Sequence, residues 1–174
     1  MKNVSYDFSS VHIDLPKPIA EEIIDWGRKH ITDNDIFVSQ SEPSFGREDE
    51  IHSTVLYGIH SDKSNELKKL VNGEKPISVK LDKIEVFDNP PNFDVVVIKV
   101  ISEDMNRLNK LFKEKLEYTN KYKSFRPHVT IAYVKKGRGY KHKRIKKWIG
   151  KEFKANYLVF SSTNGTKEKI PLSQ

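Results

Sequence analysis

Two segments of this chain carry the same pattern. Ile51-His52-Ser53-Thr54-Val55-Leu56-Tyr57 and Pro127-His128-Val129-Thr130-Ile131-Ala132-Tyr133 both read His-x-Thr-aliphatic-x-Tyr. A single His-x-Thr is common and more often structural than catalytic; two copies with matching aliphatic and tyrosine positions, 76 residues apart, reverse those odds. In a strand, residues i and i+2 share a face, so each segment sets an imidazole beside a hydroxyl. The expectation is a row of His, Thr and Tyr, with Val55 and Ile131 turned toward a packed face. A row of this kind facing a core would be costly unless hydrogen-bonded, so it is expected to line a wet cleft.

The segments around the repeat alternate between strand and helix patterns. Val11 to Leu15 alternates apolar and polar as a strand, and Pro16 and Pro18 introduce a helical run through Ile19, Ile23, Ile24 and Trp26. Thr32 to Glu50 is polar and reads as a long loop of the kind that forms lids. His52 to Gly58 reads as a strand, Asp62 to Val71 as a helix stopped by Asn72-Gly73, and Ile77 to Phe87 with Phe93 to Ile101 as a hairpin. Ser102 is placed to cap a helix whose apolar face is Met105, Leu108, Leu111, Phe112 and Leu116. Arg126 to Val134 then returns to a strand, followed by a basic helix around Tyr140 to Ile149. Phe153 to Ser161 and Lys167 to Leu172 close the chain as a hairpin around Asn164-Gly165. This order gives an α+β protein with antiparallel sheets and helices outside them. No linker divides residues 1–174, so one domain is expected.

Histidine titrates near neutrality, so a facing pair can remove a proton from a nucleophile and return one to a leaving oxygen while hydroxyls hold phosphoryl oxygens. His52, Thr54, His128 and Thr130 are therefore the candidate catalytic residues, with no metal and no cofactor required. The chain has no cysteine, which removes thiolate catalysis and cysteine-ligated metals. It also shows no zincin, P-loop, serine hydrolase or EF-hand motif.

The paired motifs, with Arg126-Pro127-His128-Val129-Thr130-Ile131-Ala132 as a full second copy, resemble those of the 2H phosphoesterase superfamily. That resemblance covers most of the chain. It implies a bilobal, pseudo-symmetric fold with two antiparallel sheets lining a central cleft, and a metal-independent phosphodiesterase. Ser10 to Pro16, Gly46 to Glu50, Leu56-Tyr57-Gly58-Ile59 and Phe160-Ser161-Ser162 look most like the phage anti-CBASS nucleases. This implies cleavage of 3',5' bonds in cyclic di- and trinucleotide messengers, in the host cytoplasm if the chain is phage-encoded. Superfamily enzymes acting on RNA ends, as 2',3'-cyclic phosphodiesterases or 2',5' ligases, offer the alternative substrate. A non-catalytic RNA-binding module is the alternative of another class.

Further candidate ligand contacts are Arg126 for phosphate, Tyr57, Tyr133, Tyr6 and Trp148 for stacking on bases, and Glu168 for a base edge. Each has a bland counterpart: a loop anchor for Arg126, strand-edge packing for Tyr57 and Tyr133, core for Trp148. His12, His30, His60 and His142 are expected to be structural or solvated. Lys135 to Lys147 contains eight basic residues and no acid, and so carries the whole excess behind the net charge of +7. It reads as a phosphate-attracting helix or a solvated one. The beginning of the sequence lacks a signal-peptide pattern and no run of 18 apolar residues occurs, so a cytoplasmic protein without a membrane or an obligate protein partner is expected.

Overall fold

The computed structural model describes residues 5–173. Its strands are β1 (Ser9–Asp14), β2 (His52–Ile59), β3 (Ile77–Phe87), β4 (Phe93–Ile101), β5 (His128–Lys135), β6 (Glu152–Ala155), β7 (Tyr157–Ser161) and β8 (Lys167–Pro171). The helices are α1 (Lys17–His30), α2 (Asn65–Leu70) and α3 (Glu103–Lys115). The strands form two antiparallel four-stranded sheets, ordered β2-β1-β7-β8 and β5-β4-β3-β6. Each motif strand is thus the edge of its own sheet, and the two edges, β2 and β5, lie against each other.

Local sequence explains most of these elements. Proline in the first turn of α1 costs no helix hydrogen bond, and the buried stripe of Ile19, Ile23 and Trp26 seats the helix. The Ser102 hydroxyl accepts the Met105 amide at 3.1 Å and so caps α3, whose buried face is Met105, Leu108, Asn109 and Phe112. β4 lies inside its sheet, and residues 94–98 are all buried.

The halves are interlocked rather than merely adjacent. α1, which follows β1, packs against β5 of the other sheet, and α3, which follows β4, packs against β2. The lead-in loops cross in the same way. Before β2, the loop bonds to the free edge of β5, through the Phe37 amide on the Tyr133 carbonyl, the Tyr133 amide on Gly46 and the Glu48 amide on Ile131. Before β5, the chain bonds to the free edge of β2, through the Thr119 amide on Gly58 and the His60 amide on Glu117. Both edges are covered, which removes the unpaired ladder groups that make edge strands associate. One buried cluster contains Val11, Ile13 and Leu158 of the first sheet with Leu81, Val96 and Val134 of the second.

Three sequence expectations need correction. The basic run does not form a helix: only a single 3-10 turn, Tyr140–His142, is present, and Arg144 sits at φ 81°. The run instead supplies ladder partners to a bulge in β3, where Arg144 donates to Ile84, Ile84 to Ile145, and Gly150 to Leu81. Like charges four apart, as at Lys143 and Lys147, also disfavour a helix. The stretch from Phe153 to Ser161 is not one strand. It breaks at Asn156, and β6 and β7 belong to different sheets. Finally, α2 starts at Asn65, because the Asp62 carboxylate is occupied by Ser9 and by the Thr163 amide and hydroxyl.

Candidate active site

His52 and His128 are the first residues of β2 and β5. Both are anchored in the same way. The Nδ1 of His52 is 2.6 Å from the Glu50 carbonyl and that of His128 is 2.7 Å from the Arg126 carbonyl. A carbonyl only accepts, so each Nδ1 carries the hydrogen and each Nε2 is left as the atom that gains or loses a proton. Each ring is thereby fixed in one tautomer by the residue two positions earlier.

Strict alternation brings Thr54 and Thr130 onto the histidine face but sends Tyr57 and Tyr133 to the opposite one. The structure restores them with a bulge at the same place in each motif. In the first sheet His12 pairs with Thr54 and Val11 with Leu56, which leaves Val55 as the extra residue. In the second, Val97 pairs with Thr130 and Val96 with Ala132, which leaves Ile131. One extra residue resets the period, so Tyr57 and Tyr133 rejoin the row. Val55 and Ile131 are buried, as expected. The bulge carbonyls are both satisfied, Val55 by the Asn109 amide group at 2.7 Å and Ile131 by the Glu48 amide at 2.9 Å. Gly27 of α1 passes so close to the second bulge that a Cβ there would lie 3.0 Å from the Ile131 side chain.

The surroundings of the two histidines differ. His52 packs against a third histidine, His12, with ring centroids 4.7 Å apart. His12 is 4% exposed, and its Nε2 lies 3.3 Å from Asp14, which also accepts from the Tyr157 hydroxyl at 3.2 Å. Burial holds His12 below the usual histidine range, and the bond to His12 lowers the Asp14 carboxyl. His12 thus borders the candidate site, and its burial and its contact with Asp14 agree with the structural role expected of it. Its place in an alternating strand opposite Thr54 was a signal available only once the strand pairing was known. His128 packs against the Phe87 edge at 4.8 Å, and the Arg126 guanidinium lies 4.5 Å over the same ring. Burial, with positive charge at His52 and Arg126, pushes His128 down toward its neutral form.

Glu48, which the sequence reading did not single out, adds a half-buried carboxyl whose pKa burial raises, while His52 acts to lower it. Tyr133, packed against Phe45 and Phe93, is pushed up to about 12 by burial and by Glu48, so its phenol stays protonated. Tyr57 is 38% exposed, and burial together with Asp7 raises it. Tyr6 is tied down through its amide on the Thr163 carbonyl, and burial, then Glu48 and Glu42, raises its phenol. Arg126 stands beside His128 and also meets Glu85 at 3.4 Å.

Two candidates fall elsewhere. Trp148 is 1% exposed and packs edge-on against Trp26, so it is core and presents no face to a base. Glu168 pairs across the ladder with Phe160, on the face opposite His52, where Ser64 and Lys68 occupy it. The basic run is also partly spent: Lys136 pairs with Asp94, Arg138 and Lys141 with Asp35, and Lys147 with Glu22. His30 stacks on Trp26, His60 meets Thr119, and His142 is buried beside Trp26. Among the described residues, no group of three or more His, Asp or Glu side chains is placed to hold a metal ion, and no helix is long and apolar enough to cross a membrane.

The 2'-5' RNA ligase superfamily matches residues 29–166 of the sequence. The fold is that of TT0787 from Thermus thermophilus, with TM-score 0.62 and 16% identity over 96% of this chain and 100% of that one. It is also that of E. coli LigT, crystallised with 3'-AMP, with TM-score 0.62 and 17% identity over 97% and 96%. Usb1 of Kluyveromyces marxianus, crystallised with uridine monophosphate, has TM-score 0.56 and 11% identity over 95% and 98%. At such identities the likeness speaks for the fold alone. A comparison with curated proteins finds no match.

Proposed function

Because the chain belongs to the 2'-5' RNA ligase superfamily, we propose that it is a phosphodiesterase using His52 and His128 as its acid/base pair. The observation that carries this reading is the matched anchoring of the two imidazoles, each with Nδ1 on a carbonyl and Nε2 free for proton transfer. His128, held toward its neutral form, takes a proton from water or a ribose hydroxyl as that oxygen bonds to phosphorus. His52 gives its Nε2 proton to the leaving oxygen as the P–O bond breaks. Thr54, Thr130 and the protonated Tyr133 donate to the phosphoryl oxygens, and Arg126 adds positive charge beside His128. The charges of the step are met by these side chains, so no metal is required.

For the substrate we propose the 3',5' bonds of cyclic di- and trinucleotides, cut in a cytoplasm, and, if the chain is phage-encoded, to the detriment of CBASS immunity. The basic run would favour long RNA, but the acids that pair with much of it weaken that argument. RNA ends remain the second reading, favoured by the nucleotide ligands of LigT and Usb1.

The test is incubation in EDTA with cyclic di- and trinucleotides and with a short RNA ending in a 2',3'-cyclic phosphate. His52→Ala and His128→Ala are each expected to cost about 10²–10⁴-fold in rate. Turnover of the RNA end alone would move the assignment to RNA processing. Unchanged turnover in either variant would exclude acid/base catalysis by this pair.

A further inference from the structure

Beside His52 lies a cavity of about 510 Å³ that the chemistry above does not use. That volume is in the range of small-ligand sites, about 300–1,000 Å³. Its walls connect directly to the catalytic row. Asp14 is the cross-strand partner of His52, Glu50 supplies the carbonyl that holds the His52 ring, and Ile51 precedes it. The cavity forms where the chain crosses at Asn156 from one sheet to the other, so α1, β6, β7 and β8 all contribute to it.

Its lining is basic. Lys17, Lys154 and Lys167 come from three different elements, and Tyr157 joins them in the wall. A fourth amine, that of Lys169, stands 4.6 Å over the Tyr157 ring. The two acids in the wall are already engaged, Asp14 by His12 and Tyr157, and Glu50 by Lys167. Lys154 meets no acid among the described residues, and Lys17 has only a 3.7 Å contact to Glu21 on a side chain 86% exposed. The strand carrying Tyr157 is two strand spacings from β2, about 10 Å. A ligand held over His52 and His128 therefore reaches this cavity only by extending past the reacting phosphate.

We propose that this cavity is a second phosphate site, which holds the phosphodiester adjacent to the one being cut, with Lys17 and Lys154 as its contacts. The inference rests on the phosphodiesterase reading and narrows it to substrates with at least two phosphates.

The experiment compares two ligands, a linear dinucleotide with a 5'-phosphate and a nucleoside 2',3'-cyclic monophosphate. Binding is measured by calorimetry to full-length His128→Ala protein, with and without Lys17→Ala/Lys154→Ala. The lysine pair is expected to weaken the dinucleotide about tenfold or more while the mononucleotide stays within about twofold. The slope of log affinity against log salt for the dinucleotide should also become shallower, by about 0.7 for each lost contact. Lys154→Glu should exceed Lys154→Ala in the same direction. Equal effects on both ligands, or none on either, would overturn the proposal. In otherwise wild-type protein, turnover that is normal with the lysines removed, on a two-phosphate substrate below its KM, would overturn it while leaving the acid/base pair intact. A selective lysine effect on binding without any turnover would support the second site and count against the catalytic reading alone.

Discussion

Gly58 joins the first motif to the second half of the chain, and Gly58→Ala isolates that joint. Gly58 has φ +95°, and a Cβ built there would lie 2.0 Å from the Thr119 carbonyl oxygen and 2.8 Å from its carbon. Those atoms are backbone and have no side-chain rotamer to yield. Gly73 provides the control, with φ +84° and nothing within 4 Å of a built Cβ. An alanine at either position carries the left-handed cost of about 1–2 kcal/mol. At Gly58 the Thr119 segment must also move away from β2. Three hydrogen bonds then weaken, namely Thr119 amide to Gly58 at 2.8 Å, His60 amide to Glu117 at 3.0 Å and Asn120 side chain to Tyr57 at 3.0 Å. At about 0.5–1.5 kcal/mol each, they put Gly58→Ala roughly 2–4 kcal/mol below Gly73→Ala. Urea denaturation followed by circular dichroism should then show midpoints separated by about 1–2 M for an m-value near 2 kcal/mol/M. Equal midpoints would refute the claim that the segment before β5 is locked onto β2 by backbone contact.

Asn109→Leu should cost about 1–3 kcal/mol by leaving the Val55 carbonyl without its donor, and should lower turnover as the bulge that returns Tyr57 to the cleft relaxes; unaltered stability would mean that the bulge does not need α3. Trp148→Ala should destabilise by about 3–5 kcal/mol, whereas Trp148→Phe should leave nucleotide affinity unchanged; a loss of affinity in Trp148→Phe would reinstate a stacking role. Glu168→Gln should leave KM unaltered in steady-state assays, and a raised KM would show that its face of the sheet is not the outer one. Burial depresses His12, His128 and His142, so the unfolded chain takes up more protons as pH falls. Their contribution is complete above about pH 6.5 and is lost as pH falls through the lower folded values. Urea midpoints should therefore drop between pH 7 and 5.5, less so in His142→Phe; a midpoint that rises over this interval would contradict the argument.

Much of the candidate site was legible because its signal is local and repeated. His52, Thr54, His128 and Thr130 follow from two copies of one six-residue pattern, and strand periodicity alone puts each His beside its Thr. Ser102 and the apolar stripe of α3 are equally local, since a cap and a 3.6-residue period need no distant partner. His12 was not legible. A lone histidine in an alternating strand carries no mark of its neighbour, and its contact with His52 arises from the pairing of β1 with β2. Trp148 and Glu168 were ambiguous for the same reason: an indole suits a core as well as a base, and the face of β8 that meets α2 depends on pairing with β7.

The sequence by itself determined most of the strands, the helices α1 and α3, the antiparallel α+β class and the two His-Thr pairs, because capping, periodicity and alternation act over a few residues. Only tertiary structure decided the rest. It returned Tyr57 and Tyr133 to the cleft by a bulge in each motif strand, each satisfied by a donor from elsewhere in the chain. It turned the basic run from a helix into ladder partners for β3, because a bulged strand offers backbone bonds that a like-charged helix cannot match. It also gave the two histidines different neighbours, His12 and Asp14 for one, Phe87 and Arg126 for the other. Near-identical motifs acquire distinct surroundings in this way, since burial and nearby charge belong to the assembled sheets and not to the motif.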